Sequence, residues 1–256
     1  MTQPQDKWVL ASDIDNTLTG DPVALRQLAG RLLEQRQKGR LKLLLSTGRR
    51  LNQVIDGMRE ESIPEPDGVI SQVGTEIYLP PFKNETPALK EWDAWLHRNF
   101  DRHHALTFLK DIAGLEMQPP MYNTPLKVSC YLHKTPDPEK AAAEITQRAA
   151  PESDAYQVVW SSGQDLDIIP AAGGKGNAIR FLVEYLGIAD YPVVVAGDSG
   201  NDSSMFECFQ RGIVVANAKP ELKQAEESRQ GNSVFFAAQS YAAGVEEGLR
   251  HFNVLN

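Results

Sequence analysis

The chain has 256 residues, of which 41% are hydrophobic and 23% are charged. This composition is typical of a folded globular protein and argues against a disordered or fibrous chain. The net charge of −8 argues against nucleic acid or an anionic membrane as the main partner, because both attract basic surfaces.

The first part of the chain alternates between predicted strands and helices. A strand is predicted over Trp8–Ser12, followed by an amphipathic helix with an apolar face of leucines and by a buried strand in LKLLLS. A helix in RLNQVIDGMREE and a strand in DGVISQVGTEIYL continue the pattern. This alternation is typical of an α/β fold with a doubly wound, Rossmann-like parallel sheet.

A change of pattern after Leu79 predicts an inserted domain. Residues 80–169 contain two predicted helices, in ALKEWDAWLHRNF and HHALTFLKDIAGL, and then three predicted strands, with a further helix in DPEKAAAEITQRAA between the first and the second strand. Two of these strands are joined by only a short turn, SSGQ, so we expect them to be antiparallel. The sequence therefore predicts a catalytic core of residues 1–79 and 170–256, with an α+β cap domain of residues 80–169.

The α/β alternation resumes after the predicted cap. A helix in GGKGNAIRFLVEYLG leads into a buried strand in YPVVVAG. A helix in SSMFECFQ, a strand in RGIVVAN and a last helix in YAAGVEEGLRHF follow. Both predicted parts of the core thus contribute strands to one sheet.

Polar side chains follow three of the predicted buried strands. Asp13 and Asp15 follow the first strand, Thr47 follows the second, and Asp198 with Asp202 follow PVVVAG. Taken alone, the Asp-x-Asp-x-Thr pattern also fits a turn before a capped helix. However, ligands bind beyond the carboxyl ends of parallel strands, where these groups would converge. Asp13 and Asp15 would point to the same side of an extended backbone.

These residue types match the requirements of phosphoryl transfer, which needs a nucleophile, a metal and donors to the phosphate. Asp13 is the candidate nucleophile, and Asp15 would protonate the leaving oxygen and then take a proton from water. Asp13, Asp198 and the backbone carbonyl of Asp15 form an oxygen set typical of Mg²⁺. Thr47 would donate to the phosphate, and Lys175 would add a positive charge.

With these motifs the chain resembles the haloacid dehalogenase superfamily. Its four motifs are matched in order by DIDNT, LLLSTGR, Lys175 within GGKGNA, and GDSGND. The resemblance implies an aspartyl-phosphate intermediate and a Mg²⁺ cofactor. It also implies that Gly48, Asn201 and Asp202 support the phosphate and the active site.

The long insertion between Thr47 and Lys175 lies in the position used by the sugar-phosphatase branch of that superfamily. Within this branch SQVGTEIY, SSGQDLDIIP and GDSGNDSSMFE resemble the sucrose-phosphate phosphatase family. The chain ends at Asn256, without the additional carboxyl-terminal domain of the plant enzymes, so the resemblance implies the bacterial form.

Substrate specificity is expected in the cap and in the loop beneath it. Glu76 and Tyr78 alternate along GTEIY and would bind a sugar hydroxyl and stack on its ring. Lys127, Asp165 and Asp167 are further candidates for sugar binding. For each of these residues, a solvated salt bridge on the surface is the alternative.

The resemblance implies a Mg²⁺-dependent phosphatase that hydrolyses a sugar phosphate, with sucrose phosphate as the first candidate. Mannosylfructose-phosphate phosphatase, another sugar phosphatase, a phosphohexomutase and a non-catalytic partner of the synthase remain alternatives. The expected partner is the small-molecule sugar phosphate, and the synthase that supplies it is a second candidate partner. Neither nucleic acid nor a membrane is expected as a partner. Cys130 and Cys208 lack metal-type spacing, and MTQPQDKW lacks an apolar signal core, so a cytoplasmic location is expected.

Overall fold

The structure is a computed structural model that describes residues 7–229 and 233–255. In chain order its strands are β1 (Trp8–Ser12), β2 (Leu41–Ser46), β3 (Gly68–Ser71), β4 (Glu76–Tyr78), β5 (Glu116–Met117), β6 (Val128–Tyr131), β7 (Tyr156–Ser161), β8 (Asp165–Pro170), β9 (Val193–Gly197), β10 (Arg211–Val214) and β11 (Ser233–Phe236). Its α-helices are α1 (Pro22–Gln37), α2 (Leu51–Glu60), α3 (Lys90–Leu96), α4 (Arg102–Ala105), α5 (Pro138–Ala149), α6 (Lys175–Tyr185), α7 (Ser203–Cys208), α8 (Pro220–Ser228) and α9 (Tyr241–His251).

The main sheet has seven strands in the order β11-β10-β9-β1-β2-β3-β4. All neighbouring strands in it are parallel except β3 and β4. From β1 the chain first adds strands on one side, up to β4, and later adds β9 to β11 on the other. The order therefore reverses between β1 and β9, which places the ligand crevice of such a sheet beyond their carboxyl ends. The predicted α/β fold with a doubly wound, mostly parallel sheet is confirmed.

The segment DGVISQVGTEIYL, predicted as one strand, instead folds into β3, a tight turn and β4. The turn has three consecutive residues with positive φ, namely Gln72 (51°), Val73 (60°) and Gly74 (87°). A β-branched residue rarely adopts this conformation. It is held by backbone hydrogen bonds from Val73 N to Thr47 O (3.1 Å) and from Gln72 N to Arg49 O (3.2 Å). The turn reverses the chain, so β4 runs antiparallel at the sheet edge.

Three elements were not predicted from the sequence, namely β5, α8 and β11. The strand β5 has only two residues, and β11 is the edge strand of the main sheet. The helix α8 has only Leu222 and Glu226 as buried residues, so its apolar periodicity is weak. The helix predicted in HHALTFLKDIAGL is also shorter than expected, because α4 ends at Ala105 and a 3₁₀ turn over Leu106–Leu109 follows.

A second, antiparallel sheet has the order β5-β6-β8-β7, and the predicted antiparallel pairing of β7 and β8 is confirmed. One face of this sheet is apolar and packs against α5 through Val128, Cys130, Ile145, Leu166 and Ile168. Side chains alternate along a strand, so Asp165 and Asp167 lie on the other face. Ile169 of that face packs against Val73. The polar face of the second sheet is therefore turned towards the main sheet.

The helix α3 packs with the main sheet, although its sequence lies in the predicted cap. Trp92 contacts the ring of Phe181 at a centroid distance of 4.9 Å, and its Nε1 donates to the carbonyl of Gly74 (3.1 Å). The domain boundaries at residues 79 and 170 therefore stay predictions. Within the described ranges, every helix is too short or too polar to cross a bilayer.

The segments before and after the second sheet meet at Gly74. Its φ is +87°, and a Cβ built there would lie only 2.3 Å from the carbonyl carbon of Gly174. Gly74→Ala is therefore expected to lower the free energy of unfolding by more than about 2 kcal/mol, because the left-handed conformation and the backbone contact both oppose a side chain.

Gly163 is a matched control for this prediction. It also has a positive φ (+69°), but a Cβ there would meet no atom within 4 Å. Gly163→Ala is expected to cost only about 1 kcal/mol, which is the conformational part alone. Urea unfolding of both variants measures the difference, and equal losses would show that the contact between Gly74 and Gly174 is unimportant.

Candidate active site

The centre of the candidate site is the ammonium group of Lys175, which is fully buried. Its Nζ donates to Asp13 Oδ1 (2.7 Å), Asn201 Oδ1 (2.8 Å) and Asp202 Oδ1 (2.6 Å). Each of the three ammonium protons thus has one acceptor. Lys175 is the first residue of α6, and Gly174 before it has a φ of +86°. This turn directs the Lys175 side chain towards the carboxyl ends of β1 and β9.

Asp202 uses both of its carboxylate oxygens within the protein. While Oδ1 accepts from Lys175, Oδ2 accepts from the backbone N–H groups of Asp198 (2.8 Å) and Ser199 (3.1 Å). Asp202 therefore fixes the loop after β9 and orients Lys175. Its supporting role in the active site stays a prediction.

Three buried carboxylates meet at this point of the sheet. One oxygen of each of Asp13, Asp198 and Asp202 lies within 4.8 Å of the others. Burial and the neighbouring carboxylates raise the pKa of Asp13 well above its ordinary value, although Lys175 opposes the shift. Burial and the charge of Asp202 raise the pKa of Asp198 to about 7. Three carboxylates facing one ammonium leave an excess of negative charge, which a divalent cation would balance.

The geometry allows Asp13 and Asp198, rather than Asp202, to hold that cation. Among the described residues, Oδ2 of Asp13 and Oδ2 of Asp198 accept no hydrogen bond, whereas both oxygens of Asp202 are occupied. The backbone carbonyl of Asp15 is likewise free of hydrogen bonds from the described residues. These three oxygens are the predicted ligand set, and hard oxygen ligands of this kind suit Mg²⁺.

Thr47 and Gly48 lie at the carboxyl end of β2, next to this cluster in the sheet. Thr47 is fully buried, and its Oγ1 accepts from Arg49 N (3.1 Å). A Cβ on Gly48 would only touch Val73, at 3.9 Å. Thr17, which the sequence analysis did not single out as a site residue, donates to Asp198 Oδ1 (3.4 Å). Its position four residues after Asp13, within the first motif, is a signal that could have identified it.

Asp15 differs from Asp13 because its side chain is 53% exposed and bound to Arg49. Arg49 Nε lies 3.0 Å from Asp15 Oδ2 and Nη2 lies 2.8 Å from Oδ1. The same guanidinium donates to Glu61 through Nη1 (2.6 Å) and Nη2 (3.1 Å). Burial alone would lower the pKa of Arg49, but its bonds to Glu61 and Asp15 raise the pKa instead. Arg49 was not predicted as a site residue, although it lies two residues after Thr47.

The second sheet brings three of the predicted sugar-binding residues to its polar face. Lys127 Nζ lies 3.5 Å from Asp167 Oδ1, and both side chains are buried. Ser129 Oγ also donates to Asp167. Asp165 accepts from Gln118 Nε2 (3.1 Å), and burial with the nearby charge of Asp167 raises the pKa of Asp165. These residues thus form a polar group on the face that is turned towards the main sheet.

Glu76 and Tyr78 are not joined to this polar group. The hydroxyl of Tyr78 donates to Glu76 Oε2 (2.9 Å), and Ser71 Oγ donates to the same oxygen (3.0 Å). Burial and the charge of Glu76 raise the pKa of Tyr78. The contacts therefore describe a pair within the β3–β4 hairpin, and they give no support to a sugar-binding role.

Further polar residues, not predicted as site residues, lie where the start of α2 and the turn after β3 contact the segment before β6. Gln72 Nε2 donates to Met121 O (3.3 Å), and Gln53 Nε2 donates to Tyr122 Oη (3.1 Å). Arg50 lies over the Tyr122 ring, 5.6 Å from its centre. Within the described residues, the buried atoms Gln72 Oε1 and Arg50 Nε have no hydrogen-bond partner. Gln72 directly follows β3, so the rule of polar strand ends could have identified it.

Comparison with known proteins covers nearly the whole chain. The sequence model of the sucrose-6F-phosphate phosphohydrolase family matches residues 6–253. Mannosylfructose-phosphate phosphatase of Agrobacterium fabrum is 34% identical over 249 residues, covering 96% of this chain and 97% of that protein. Sucrose-phosphatase 1 of Nicotiana tabacum is 30% identical over 257 residues, covering 97% of this chain but only 60% of that longer protein.

A solved structure shows the same architecture. The sucrose-phosphatase from Synechocystis sp. PCC6803, in complex with sucrose and phosphate, superposes with a TM-score of 0.88 at 30% identity. The match covers 96% of this chain and 98% of the Synechocystis chain. The likeness therefore includes both sheets.

Lys175→Met is expected to lower the free energy of unfolding by about 3–5 kcal/mol in EDTA, because two buried carboxylates lose their cation. Lys38→Met is the control, since Lys38 forms an exposed ion pair with Glu34 and should contribute below about 1 kcal/mol. Adding Asp202→Asn to Lys175→Met should restore part of the stability, because an amide oxygen can still accept from the Asp198 N–H. Denaturant unfolding tests this, and similar losses for Lys175→Met and Lys38→Met would contradict it.

Proposed function

The chain belongs to the sucrose-6F-phosphate phosphohydrolase family, and we propose that it hydrolyses sucrose phosphate to sucrose and phosphate in a Mg²⁺-dependent reaction. The resemblance to this family and the expectation of a phosphoric monoester hydrolase are confirmed. The substrate, the metal and the reaction path belong to the proposal. The observation that carries it is the convergence of Asp13, Lys175 and Asp198 in a crevice that faces a polar sheet surface.

Mg²⁺ would be held by Asp13, Asp198 and the carbonyl of Asp15. When bound, it would offset the negative charge of the crevice and of the phosphate group. Two observations support this assignment, namely the free carboxylate oxygens of Asp13 and Asp198 and the raised pKa of Asp198. Both indicate that the cationic side chains of the protein do not balance the negative charge of the site.

The residues of the chain then have distinct roles in the transfer. A carboxylate oxygen of Asp13 attacks the phosphorus, and the bond from phosphorus to the sugar oxygen breaks as the aspartyl phosphate forms. Asp15 gives its proton to the departing sugar oxygen and later takes one from the water that attacks the phosphorus of the intermediate. The bond between the Asp13 oxygen and phosphorus then breaks, and phosphate leaves as the Asp13 carboxylate is restored. Thr47 and Asn201 donate to the phosphate oxygens, and Lys175 holds Asp13 in place.

The polar face of the second sheet is proposed to bind the sugar. Lys127, Asp165 and Asp167 offer both donors and acceptors there, and the buried Lys127–Asp167 pair is already partly removed from water. A sugar hydroxyl that both donates and accepts fits such a pair. Glu76 and Tyr78 stay further candidates, although their polar groups already bind each other.

Mannosylfructose phosphate is a second candidate substrate, because the phosphatase from Agrobacterium fabrum shares 34% identity with this chain. The synthase that supplies the substrate stays a proposed partner. A reducing, cytoplasmic location also stays part of the proposal, and the free thiols of Cys130 and Cys208 agree with it.

Phosphate release from a substrate panel tests the proposed function. With Mg²⁺ we expect the highest kcat/KM for sucrose phosphate, lower values for mannosylfructose phosphate and for hexose phosphates, and no turnover in EDTA. Asp13→Asn should abolish turnover, because an amide cannot form the intermediate. A preference for mannosylfructose phosphate would select the second candidate. Full activity in EDTA would refute the metal requirement. Binding of a sugar phosphate without hydrolysis would favour the alternative of a non-catalytic partner of the synthase.

Lys127→Met should lower kcat/KM for the disaccharide phosphate about ten- to a hundredfold, because a charge-assisted hydrogen bond contributes about 1.5–3 kcal/mol. Hydrolysis of p-nitrophenyl phosphate should hardly change, since this ester has no sugar. Lys134→Met is the matched control, because Lys134 forms an exposed pair with Glu116. Steady-state kinetics of both variants with both substrates are the measurement. Equal losses on the two substrates would mean that Lys127 serves folding or the core site.

A further inference from the structure

Arg49 connects two acidic residues that are far apart in the sequence. Its guanidinium forms bidentate hydrogen bonds with Asp15 on one side and with Glu61 on the other, with N···O distances of 2.6 to 3.2 Å. The Arg49 side chain is only 14% exposed, whereas Asp15 and Glu61 are 53% and 40% exposed. An arginine held from both sides has little freedom left, because the planar guanidinium fixes the orientation of each partner.

The surroundings of Arg49 also fix its backbone and leave room for its side chain. Its N–H donates to Thr47 Oγ1 (3.1 Å), and its carbonyl accepts from Gln72 N (3.2 Å). A Cβ on Gly57 would lie 2.7 Å from Arg49 Nη1 and 3.1 Å from Glu61 Oε1. Glycine inside a helix costs about 0.5–1 kcal/mol relative to alanine. Here the missing side chain leaves the space that the pair of Arg49 and Glu61 occupies.

Asp15 has no comparable support without Arg49. Every side-chain hydrogen bond of Asp15 that the structure describes comes from the Arg49 guanidinium. A carboxylate that is half exposed would otherwise change rotamer freely.

We propose that Arg49, anchored by Glu61, is a positioning residue that orients the Asp15 carboxyl group for proton transfer to the leaving oxygen. This inference rests on the proposed function, in which Asp15 gives its proton as the phosphorus–oxygen bond breaks. Arg49 acts through Asp15 and is not itself required to contact the substrate. The need for a proton grows as the leaving group becomes more basic, so the loss of Arg49 should affect poor leaving groups most.

A series of aryl phosphates tests the inference without any sugar contact. In Mg²⁺ buffer, Arg49→Met should lower kcat/KM for phenyl phosphate about ten- to a hundredfold, but for p-nitrophenyl phosphate less than about threefold. Arg59→Met, on α2, is the control, since Arg59 pairs with Asp56 at the surface, and it should change neither value. Equal losses of Arg49→Met on both esters, or no loss on either, would overturn the inference.

The role of Glu61 is tested by a double mutant. Glu61→Gln alone should change the ratio between the two esters in the same direction as Arg49→Met, but less. In the Arg49→Met background it should add nothing, because Glu61 acts only through Arg49. Additive effects would overturn this anchoring role.

Crystal structures of the wild type and of Arg49→Met give a readout that does not depend on turnover. We expect Asp15 in one rotamer against Arg49 in the wild type, and in another rotamer or in several in the variant. An unchanged Asp15 would overturn the inference even if the proposed function holds. Conversely, a wild type that hydrolyses no phosphate monoester would refute the proposed function, while the two structures would still decide whether Arg49 orients Asp15.

Discussion

The buried ammonium group of Lys175 is the interaction on which the rest of the structure depends. A charge removed from water costs several kcal/mol unless it is paired and hydrogen-bonded. Its acceptors on Asp13 and Asp202 lie 162 and 27 residues away in the sequence. They can meet Lys175 only if the main sheet places β1 beside β9 and α6 begins at their carboxyl ends. The contacts that stabilise the fold are thus the same contacts that assemble the site.

The second sheet is added to this arrangement without disturbing it. The segments that precede and follow the second sheet in the sequence touch each other, since Gly74 lies against the backbone of Gly174. The strand β7 also packs on the loop after β9, where a Cβ on Gly200 would lie 2.5 Å from Trp160 O. The polar face of the second sheet is therefore held over the residues that surround Lys175. This geometry allows one sheet to contact the phosphate and the other to contact the rest of a substrate.

The sequence was sufficient for features that depend on local pattern and insufficient for those that depend on tertiary contacts. The buried strands β1, β2 and β9, and the convergence of Asp13 with Asp198, follow from apolar runs that end in polar residues. Lys175, which begins α6, was identified instead through the motif GGKGNA. The β3–β4 hairpin was missed because Val73 adopts a conformation that its β-branched side chain disfavours. The contacts of Arg49 were missed because nothing local in STGRR indicates which acids it binds.

The negative charge of the crevice links stability to the proposed activity. Asp198 has a pKa of about 7 in the folded chain, whereas an unfolded chain ionises an aspartate at a much lower pH. The unfolded state therefore releases this proton first, so folding stability without a cation falls as the pH rises from the ordinary aspartate value towards 7. A cation that binds only the folded chain reverses this loss by mass action. Burial of Asp198 beside Asp202 thus lowers the stability of the metal-free fold and, for the same electrostatic reason, favours the binding of the proposed cation.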